Sequence, residues 1–292
     1  MSASAIVASR NLSIANVSVS EPRKNAKGGI SVQLKYNGQP LQIRLPKMKF
    51  PGGALVREDD KTGKVDYKLI GSLTGCDPYN TARAGPEAGD TGTLYNFLHD
   101  LDEKLIETAV ANSSKWFGKT RGREGVSDSY RAILTASSDR QPDGSRVPNG
   151  KYPPSIAIKF PVWDGVVKTA VIDSKGNPME IRPENVSDIF PKRVECNLVI
   201  SPSIYVVNQS FGVSWRIDYA QVFPTERLSA RAVFADEDFG EEEGDAPTAT
   251  NAAAAFQDDV DDTPAPESVK PPTPMPIETS AAVPPSRRRR AV

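Results

Sequence analysis

The strongest strand pattern in the chain lies in one stretch, SPSIYVVNQSFGVSWRIDYAQVF, at residues 201–223. Its apolar residues fall at every second position, which is the period of a pleated strand with one buried face. The alternating residues are Ile204, Val206, Phe211, Val213, Trp215, Ile217 and Tyr219. The pattern predicts two strands joined near residues 208–210, with Gly212 as a bulge or a point of close backbone approach. We interpret this hairpin as the last part of a β-barrel or β-sandwich.

A second hairpin is predicted at residues 30–45, where apolar and polar residues again alternate on both sides of Asn37-Gly38. This dipeptide is preferred in two-residue type I′ turns because both central residues adopt positive φ. Residues 46–53 contain two prolines and two glycines, which predicts a loop. Alternation resumes at Val65 as a third strand.

Residues 91–112 are predicted to form a helix, with Asp90 or Thr91 as its cap, because apolar residues recur at spacings of three and four. About six further strands follow it. Three strands, a helix and more strands is the order of an OB-fold, a small Greek-key barrel. We therefore predict a mainly β fold with one helix, an OB-fold-like antiparallel barrel with additional strands; a β-sandwich is the alternative.

Charge divides the chain into three predicted regions: a flexible N-terminal arm at residues 1–28, a β-barrel nucleic-acid-binding core at residues 29–235, and a tail at residues 236–292. The tail is rich in Pro and Ala and has 13 acidic and five basic residues, a net charge of −8. Residues 1–235 have a net charge of +7. A segment with so few apolar residues is predicted to be disordered. The tail ends in four arginines, at residues 287–290, whose role the sequence leaves open.

Enzymatic chemistry is not indicated. The single histidine, His99, lies within the predicted helix, and a metal site needs convergent ligands. Gly118-Lys119-Thr120 resembles the end of a phosphate loop but follows a helix instead of opening one. Cys76 and Cys196 have no metal-ligand spacing, and we expect both to be buried. No catalytic residue, cofactor or metal is predicted, and neither a membrane span nor a secretion signal is evident.

The sequence instead interleaves cations with aromatic rings, the two components that single-stranded nucleic acid requires for its phosphates and its bases. The candidate binding residues are Lys47, Lys49, Phe50, Lys115, Trp116, Phe117, Lys119, Arg121, Arg123, Lys159, Trp163, Lys168 and Arg216. Among them, the rings Phe50, Trp116, Phe117 and Trp163 are predicted to lie in loops and are the stacking candidates. A structural alternative remains for the strand residues: Trp215 is in phase with the core, and Arg216 lies opposite the apolar face, where charge is ordinary.

The terminal hairpin, together with LPKMKFPGG at residues 45–53, resembles the single-stranded-DNA-binding proteins of nucleocytoplasmic large DNA viruses. The resemblance extends over about residues 28–223, and its most specific part is the hairpin with Gly212 and Trp215. It implies an OB-fold core and a role in viral DNA replication, recombination or repair, in a viral factory of the host cytoplasm or in the host nucleus. It does not identify the residues that contact DNA, and the arginines at the end of the tail depart from it.

Two functions are therefore compared. The first is a non-catalytic single-stranded-DNA-binding protein. Two interpretations of its acidic tail stay open: a solvated segment, or one that competes with DNA for the cationic body and recruits replication proteins. The second is a virion or replication-complex scaffold that does not bind nucleic acid. No membrane partner is expected. A homo-oligomer, the preference for DNA over RNA, and the site size and polarity are left open.

Overall fold

The computed structural model describes residues 5–24, 28–58, 63 and 65–223. The predicted tail lies outside these residues. The strands are β1 Ala5–Ala8, β2 Val17–Val19, β3 Arg23–Lys24, β4 Ile30–Tyr36, β5 Gln39–Arg44, β6 Met48–Phe50, β7 Ala54–Glu58, β8 Val65–Ser72, β9 Tyr130–Arg131, β10 Leu134–Thr135, β11 Ser138–Arg140, β12 Arg146–Pro148, β13 Ser155–Lys159, β14 Val162–Trp163, β15 Val166–Val167, β16 Ala170–Ile172, β17 Pro178–Met179, β18 Val194–Val207 and β19 Ser210–Phe223. The α-helices are α1 Gly89–Ala111, α2 Ser113–Phe117, α3 Arg123–Ser127 and α4 Val186–Ile189, and the 3-10 helices are Ser9–Asn11, Ile14–Asn16, Pro86–Ala88 and Pro183–Asn185.

The β18–β19 hairpin, which the sequence predicted, lies at the centre of the sheet. Its two strands have 14 residues each, and Asn208 and Gln209 form the turn with φ of 48° and 67°. The outer edge of β18 pairs in succession with β6, β5 and β4. The outer edge of β19 pairs in succession, in parallel, with β9, β13 and β16. One long hairpin thus sets the register of six shorter strands.

A β-bulge interrupts the alternation of β19. Ile200 pairs with Ile217, whereas the preceding Val199 pairs with Tyr219, so Asp218 is the extra residue. An extra residue reverses the face of every side chain beyond it. Tyr219 is consequently 51% exposed, and the prediction that it continues the apolar face is wrong. Gly212 is not the bulge. It is the point of close approach, the other role predicted for it, since a Cβ there would lie 2.8 Å from the Tyr205 hydroxyl.

The first hairpin has the predicted turn, because Asn37 and Gly38 adopt φ of 47° and 79° between β4 and β5. The loop predicted at residues 46–53 is partly wrong. Met48 and Phe50 face the core as strand β6, which pairs with β18. Three residues are too few for alternation alone to distinguish a strand from a loop.

Helix α1 buries the apolar stripe that its sequence spacing predicts, including Leu94, Leu98 and Leu101. The predicted cap is wrong. The helix begins after Ala88, which makes no side-chain cap hydrogen bond, and Asp90 lies within the first turn. An acidic side chain there still stabilises the helix through its dipole.

Fifteen of the described strands form one mixed sheet, whose main path runs from β1 to β7. The prediction of a mainly β fold with one long helix is confirmed. Eight strands, not three, precede α1. The described strands do not close into a barrel, because the strands at the two ends of the path do not pair with each other. No helix in the described part is long and apolar enough to cross a membrane.

Candidate nucleic-acid interface

A row of cations crosses the sheet on the face opposite the core. Lys68 of β8 pairs with Lys159 of β13, and Lys159 pairs with Arg216 of β19. Directly paired residues on neighbouring strands lie on the same face, about 4.8 Å apart. The row ends at Leu55 of β7 on one side and at Ser201 of β18 on the other. We call Lys68, Lys159 and Arg216 the cationic row; it spans about 10 Å.

The electrostatics of the cationic row are unfavourable without an added anion, because like charges directly opposite each other destabilise a sheet. One carboxylate offsets part of this repulsion: Asp66 Oδ2 lies 3.8 Å from Lys159 Nζ. Lys68 and Arg216 form no ion pair with any other residue that the structure describes. Three adjacent cations, of which only Lys159 forms an ion pair among the described residues, form a surface suited to a string of phosphates.

The bulge adds an aromatic ring to this outer face. Tyr219 pairs with Val199, which in turn pairs with Arg44, so a ring and a guanidinium share the next row of the sheet. Both side chains line a shallow cavity of about 280 Å³. Tyr219 is half-exposed and can therefore offer a face to a base, as Arg44 can offer charge to a phosphate.

Asp218, the bulged residue itself, is held in place by hydrogen bonds. Gln42 Nε2 donates to its Oδ2 at 2.7 Å, and the Ser201 hydroxyl donates to the same oxygen. Both donors bond to Oδ2 of Asp218, and these hydrogen bonds stabilise the bulge that turns Tyr219 outward.

The predicted pair Lys47 and Lys49 faces a carboxylate. Lys47 Nζ lies 2.7 Å from Glu195 Oε2 and 4.4 Å from the centroid of the Phe223 ring, while Lys49 Nζ lies 3.8 Å from Glu195 Oε1. The hydrogen bond from Lys47 lowers the pKa of Glu195, so this carboxyl remains charged. Phe50 is fully buried, and the prediction that it stacks on bases is wrong because β6 turns it toward the core.

The predicted cluster around α2 is mostly structural. Trp116 is 3% exposed and packs edge-to-face on Phe211, with 6.0 Å between ring centroids, so its predicted stacking role is wrong. Phe117 is partly buried, and the Arg121 guanidinium lies 4.5 Å from its ring centroid. Arg121 also donates to Ser129 Oγ at 2.9 Å. These contacts tie the helical segment to the tip of the β18–β19 hairpin.

The remaining cations of that segment have carboxylate partners, with one exception. Lys115 Nζ lies 3.5 Å from Glu21 Oε2, and Arg123 contacts Glu103 and Glu107. Lys119 is exposed and forms no ion pair with any residue that the structure describes. Burial and pairing therefore remove most of this cluster from the candidates for DNA contact.

Trp163 is the predicted ring that stays accessible, with 61% of its surface exposed. It lies in the β14–β15 hairpin, whose turn residues Asp164 and Gly165 have φ of 51° and 73°. This hairpin begins three residues after Lys159, and Lys168 is exposed just beyond it. Two of the predicted residues, Lys159 and Arg216, thus belong to the cationic row, and Trp163 is exposed in the hairpin that follows Lys159 in the sequence.

Sequence reasoning missed Lys68 and did not select Arg44 or Tyr219. Lys68 alternates with Tyr67 and Leu69, so its outward orientation was detectable. Its place beside Lys159 depends on a pairing between residues 91 positions apart, which no local pattern specifies.

Both cysteines are buried, as predicted, and burial raises the pKa of Cys76 to about 11 and that of Cys196 to about 12. Both therefore remain thiols at neutral pH. Among the described residues, no group of three or more His, Cys, Asp or Glu side chains could hold a metal ion.

No protein-family model matches the sequence, and no curated protein matches it. Among solved structures, gp2.5, a single-stranded DNA binding protein encoded by bacteriophage T7, is similar with 14% identity and a TM-score of 0.40 over 71% of this chain and 99% of that chain. The single-stranded DNA-binding protein from bacteriophage Enc34, in complex with ssDNA, is similar with 10% identity and a TM-score of 0.35 over 70% of this chain and 92% of that chain. At these values the similarity is a partial likeness in fold.

Proposed function

We propose that the protein is a non-catalytic single-stranded-DNA-binding protein and that the outer face of its sheet is the binding surface. The observation that supports this is the in-register cationic row of Lys68, Lys159 and Arg216, with the exposed ring of Tyr219 on the same face. Cations that displace phosphate counterions supply salt-dependent affinity, and rings that stack on bases supply the remainder.

A single strand fits this surface better than a duplex. The bases of a duplex are stacked on each other, and their edges are reached by a helix or β-ribbon inserted in a groove. The outer face instead presents a ring beside a phosphate-binding row, and a ring can stack only on a base whose face is free.

The biological setting that we propose follows from the resemblance in the terminal hairpin. The bound strand is the one exposed during viral DNA replication, recombination or repair, in a viral factory of the host cytoplasm or in the host nucleus. The acidic tail recruits replication proteins through its net charge of −8. No cofactor takes part in binding.

The test compares two triple variants that remove the same charge. K68A/K159A/R216A removes the cationic row, whereas K47A/K115A/R123A removes three cations that face carboxylates. Binding to fluorescent oligo-dT and to duplex is measured at several salt concentrations. We expect the row variant to lower the salt slope for single strands by about 2, since each lost phosphate contact contributes about 0.7, and the control to change it by much less.

Two results would contradict the proposal. The first is a wild-type protein that binds single strand and duplex equally weakly at low salt, which would favour the scaffold function. The second is a row variant whose affinity and salt slope match those of the control, which would place DNA elsewhere on the protein.

A further inference from the structure

A groove opens at the end of the outer face, next to the β11–β12 hairpin. Ile70 and Ser72 follow Lys68 at two-residue intervals on β8, so they lie on the same face, and Ser155 pairs with Ser72. All three line the groove, which has a volume of about 780 Å³. This volume is within the range of about 300–1,000 Å³ typical of ligand pockets. A polymer on the cationic row that continues along β8 therefore enters this groove.

The groove combines an exposed ring with apolar and polar walls. Tyr152, which lines the groove, is 70% exposed, and Ile70 and Pro153 supply apolar surface. The lining also contains Asn149, whose Nδ2 donates to Asp139 Oδ1 at 2.8 Å and whose Oδ1 accepts from the Lys151 amide at 3.0 Å. A flat group with apolar faces and a polar edge, such as a nucleobase, matches this lining.

The loop that carries Tyr152 is held in place by a second tyrosine. Gly150 has φ of 64°, and a Cβ on it would lie 2.5 Å from the Tyr79 ring. The Tyr79 backbone amide donates to Asp77 Oδ1 at 3.1 Å, and the same carboxylate caps two further amides. A fixed loop lets Tyr152 present its ring at little entropic cost on binding.

Two guanidinium groups lie on the β11–β12 hairpin, whose residues Ser138 and Asp139 line the groove. Arg140 and Arg146 pair directly across β11 and β12, and both are exposed. Like charges at such a pair destabilise the hairpin unless an anion lies between them. Within the described residues neither arginine forms an ion pair, whereas Lys151 is paired with Asp139 at 3.1 Å.

We infer that this groove is a nucleobase pocket for the same single strand. One base enters it and stacks on Tyr152, while the phosphates flanking that base contact Arg140 and Arg146. The strand then runs from the cationic row along β8 into the groove. This inference rests on the proposed function, and it adds a site that distinguishes a base from the phosphate backbone alone.

The test uses Y152A, Y152F and R140A/R146A in the full chain, with oligo-dT that carries one abasic residue at successive positions. We expect Y152A to weaken binding by about 5-fold to 150-fold, the range for loss of a base–ring stack, and Y152F to stay within about 2-fold of wild type. An abasic residue at one position should weaken wild-type binding and leave Y152A binding unchanged. R140A/R146A should lower the salt slope by about 1.4, and the matched K115A/R123A should not.

The outcomes separate the two proposals. If the wild-type protein does not bind oligo-dT in a salt-dependent manner, the proposed function is wrong. If it does bind and the cationic-row variant is weakened, but Y152A binds like wild type and no abasic position matters, the groove is not a base pocket and the proposed function stands. Thermal unfolding of Y152A checks that the fold is intact, which the exposure of Tyr152 leads us to expect.

Discussion

Asp102 gives the sharpest prediction about the fold, because it is a partly buried carboxylate of α1 that contacts Tyr130 of β9. Burial raises the pKa of Asp102 to about 6 from an ordinary value of 3.8, and hydrogen bonds from the Tyr130 hydroxyl at 2.5 Å and the Ile133 amide at 3.3 Å oppose part of that rise. A carboxyl with a pKa higher in the folded chain than in the unfolded chain stabilises the fold when protonated. Its contribution is greatest below pH 3.8 and is lost as the pH rises to about 6.

The magnitude follows from these two pKa values. Each pKa unit corresponds to about 1.4 kcal/mol, so ionised Asp102 lowers the free energy of unfolding at pH 7 by roughly 3 kcal/mol relative to the protonated form. Asp102→Asn keeps an acceptor for Tyr130 and Ile133 and removes the charge. We expect it to raise the free energy of unfolding at pH 7 by roughly 1–3 kcal/mol.

The assay is urea unfolding of wild type and D102N from pH 4 to pH 8, followed by the fluorescence of the buried Trp116 and Trp215. The difference between the two proteins isolates Asp102, since the other titrating groups are common to both. That difference should grow from pH 4 to about pH 6 and then level off. Asp102→Ala, which leaves the Tyr130 hydroxyl without this acceptor, should be less stable than D102N at every pH. A constant difference across this range, or a D102N protein less stable than wild type at pH 7, would refute the reasoning.

Three further predictions concern the ring, a turn and the tail. Tyr219→Ala should weaken oligo-dT binding by about 5-fold or more, because it removes a ring from the outer face, and Tyr219→Phe should not; equal affinities in a titration would remove Tyr219 from the interface. Gly53→Ala should destabilise the protein much more than Gly38→Ala. Both positions have positive φ, but a Cβ at Gly53 would lie 2.6 Å from the Phe190 carbonyl oxygen, whereas Gly38 faces open space; urea midpoints decide this, and similar midpoints would contradict it. Deletion of residues 236–292 should tighten DNA binding at low salt if the acidic tail competes with DNA; unchanged or weaker affinity would contradict that competition.

The elements that the sequence predicted well are those encoded by local periodicity. The two hairpins and helix α1 have long runs of consistent spacing, and Asn37-Gly38 is a turn signal that works without its surroundings. Phe50 and Trp116 were misplaced for the opposite reason. Each lies in a short segment next to Gly or Pro, where loop composition outweighs periodicity, and each is covered by a distant part of the chain, β18 for Phe50 and Phe211 for Trp116.

The candidate site was harder to predict than the fold because its chemistry depends on register. Lys68, Lys159 and Arg216 are ordinary outward cations in their own strands, and each alone is consistent with a solvated face. They form one continuous row only because three strands from distant parts of the chain align them on one level. A shift of one residue in either pairing would turn the neighbouring side chains outward and break the row.

Tyr219 shows the same dependence within a single strand. Strict alternation after Ile217 would place its ring in the core, where a large aromatic is ordinarily buried. One extra residue, Asp218, reverses that orientation, and the hydrogen bonds from Gln42 and Ser201 explain why an acidic residue occupies the bulge. The sheet therefore loses part of the burial of one aromatic side chain, which is worth roughly 1.5–3 kcal/mol when complete. The ring lies one level beyond the cationic row and is separated from Arg44 by Val199. Under the proposed function this ring is available to stack on a base, and the bulge supports that proposal more directly than the composition of the strand does.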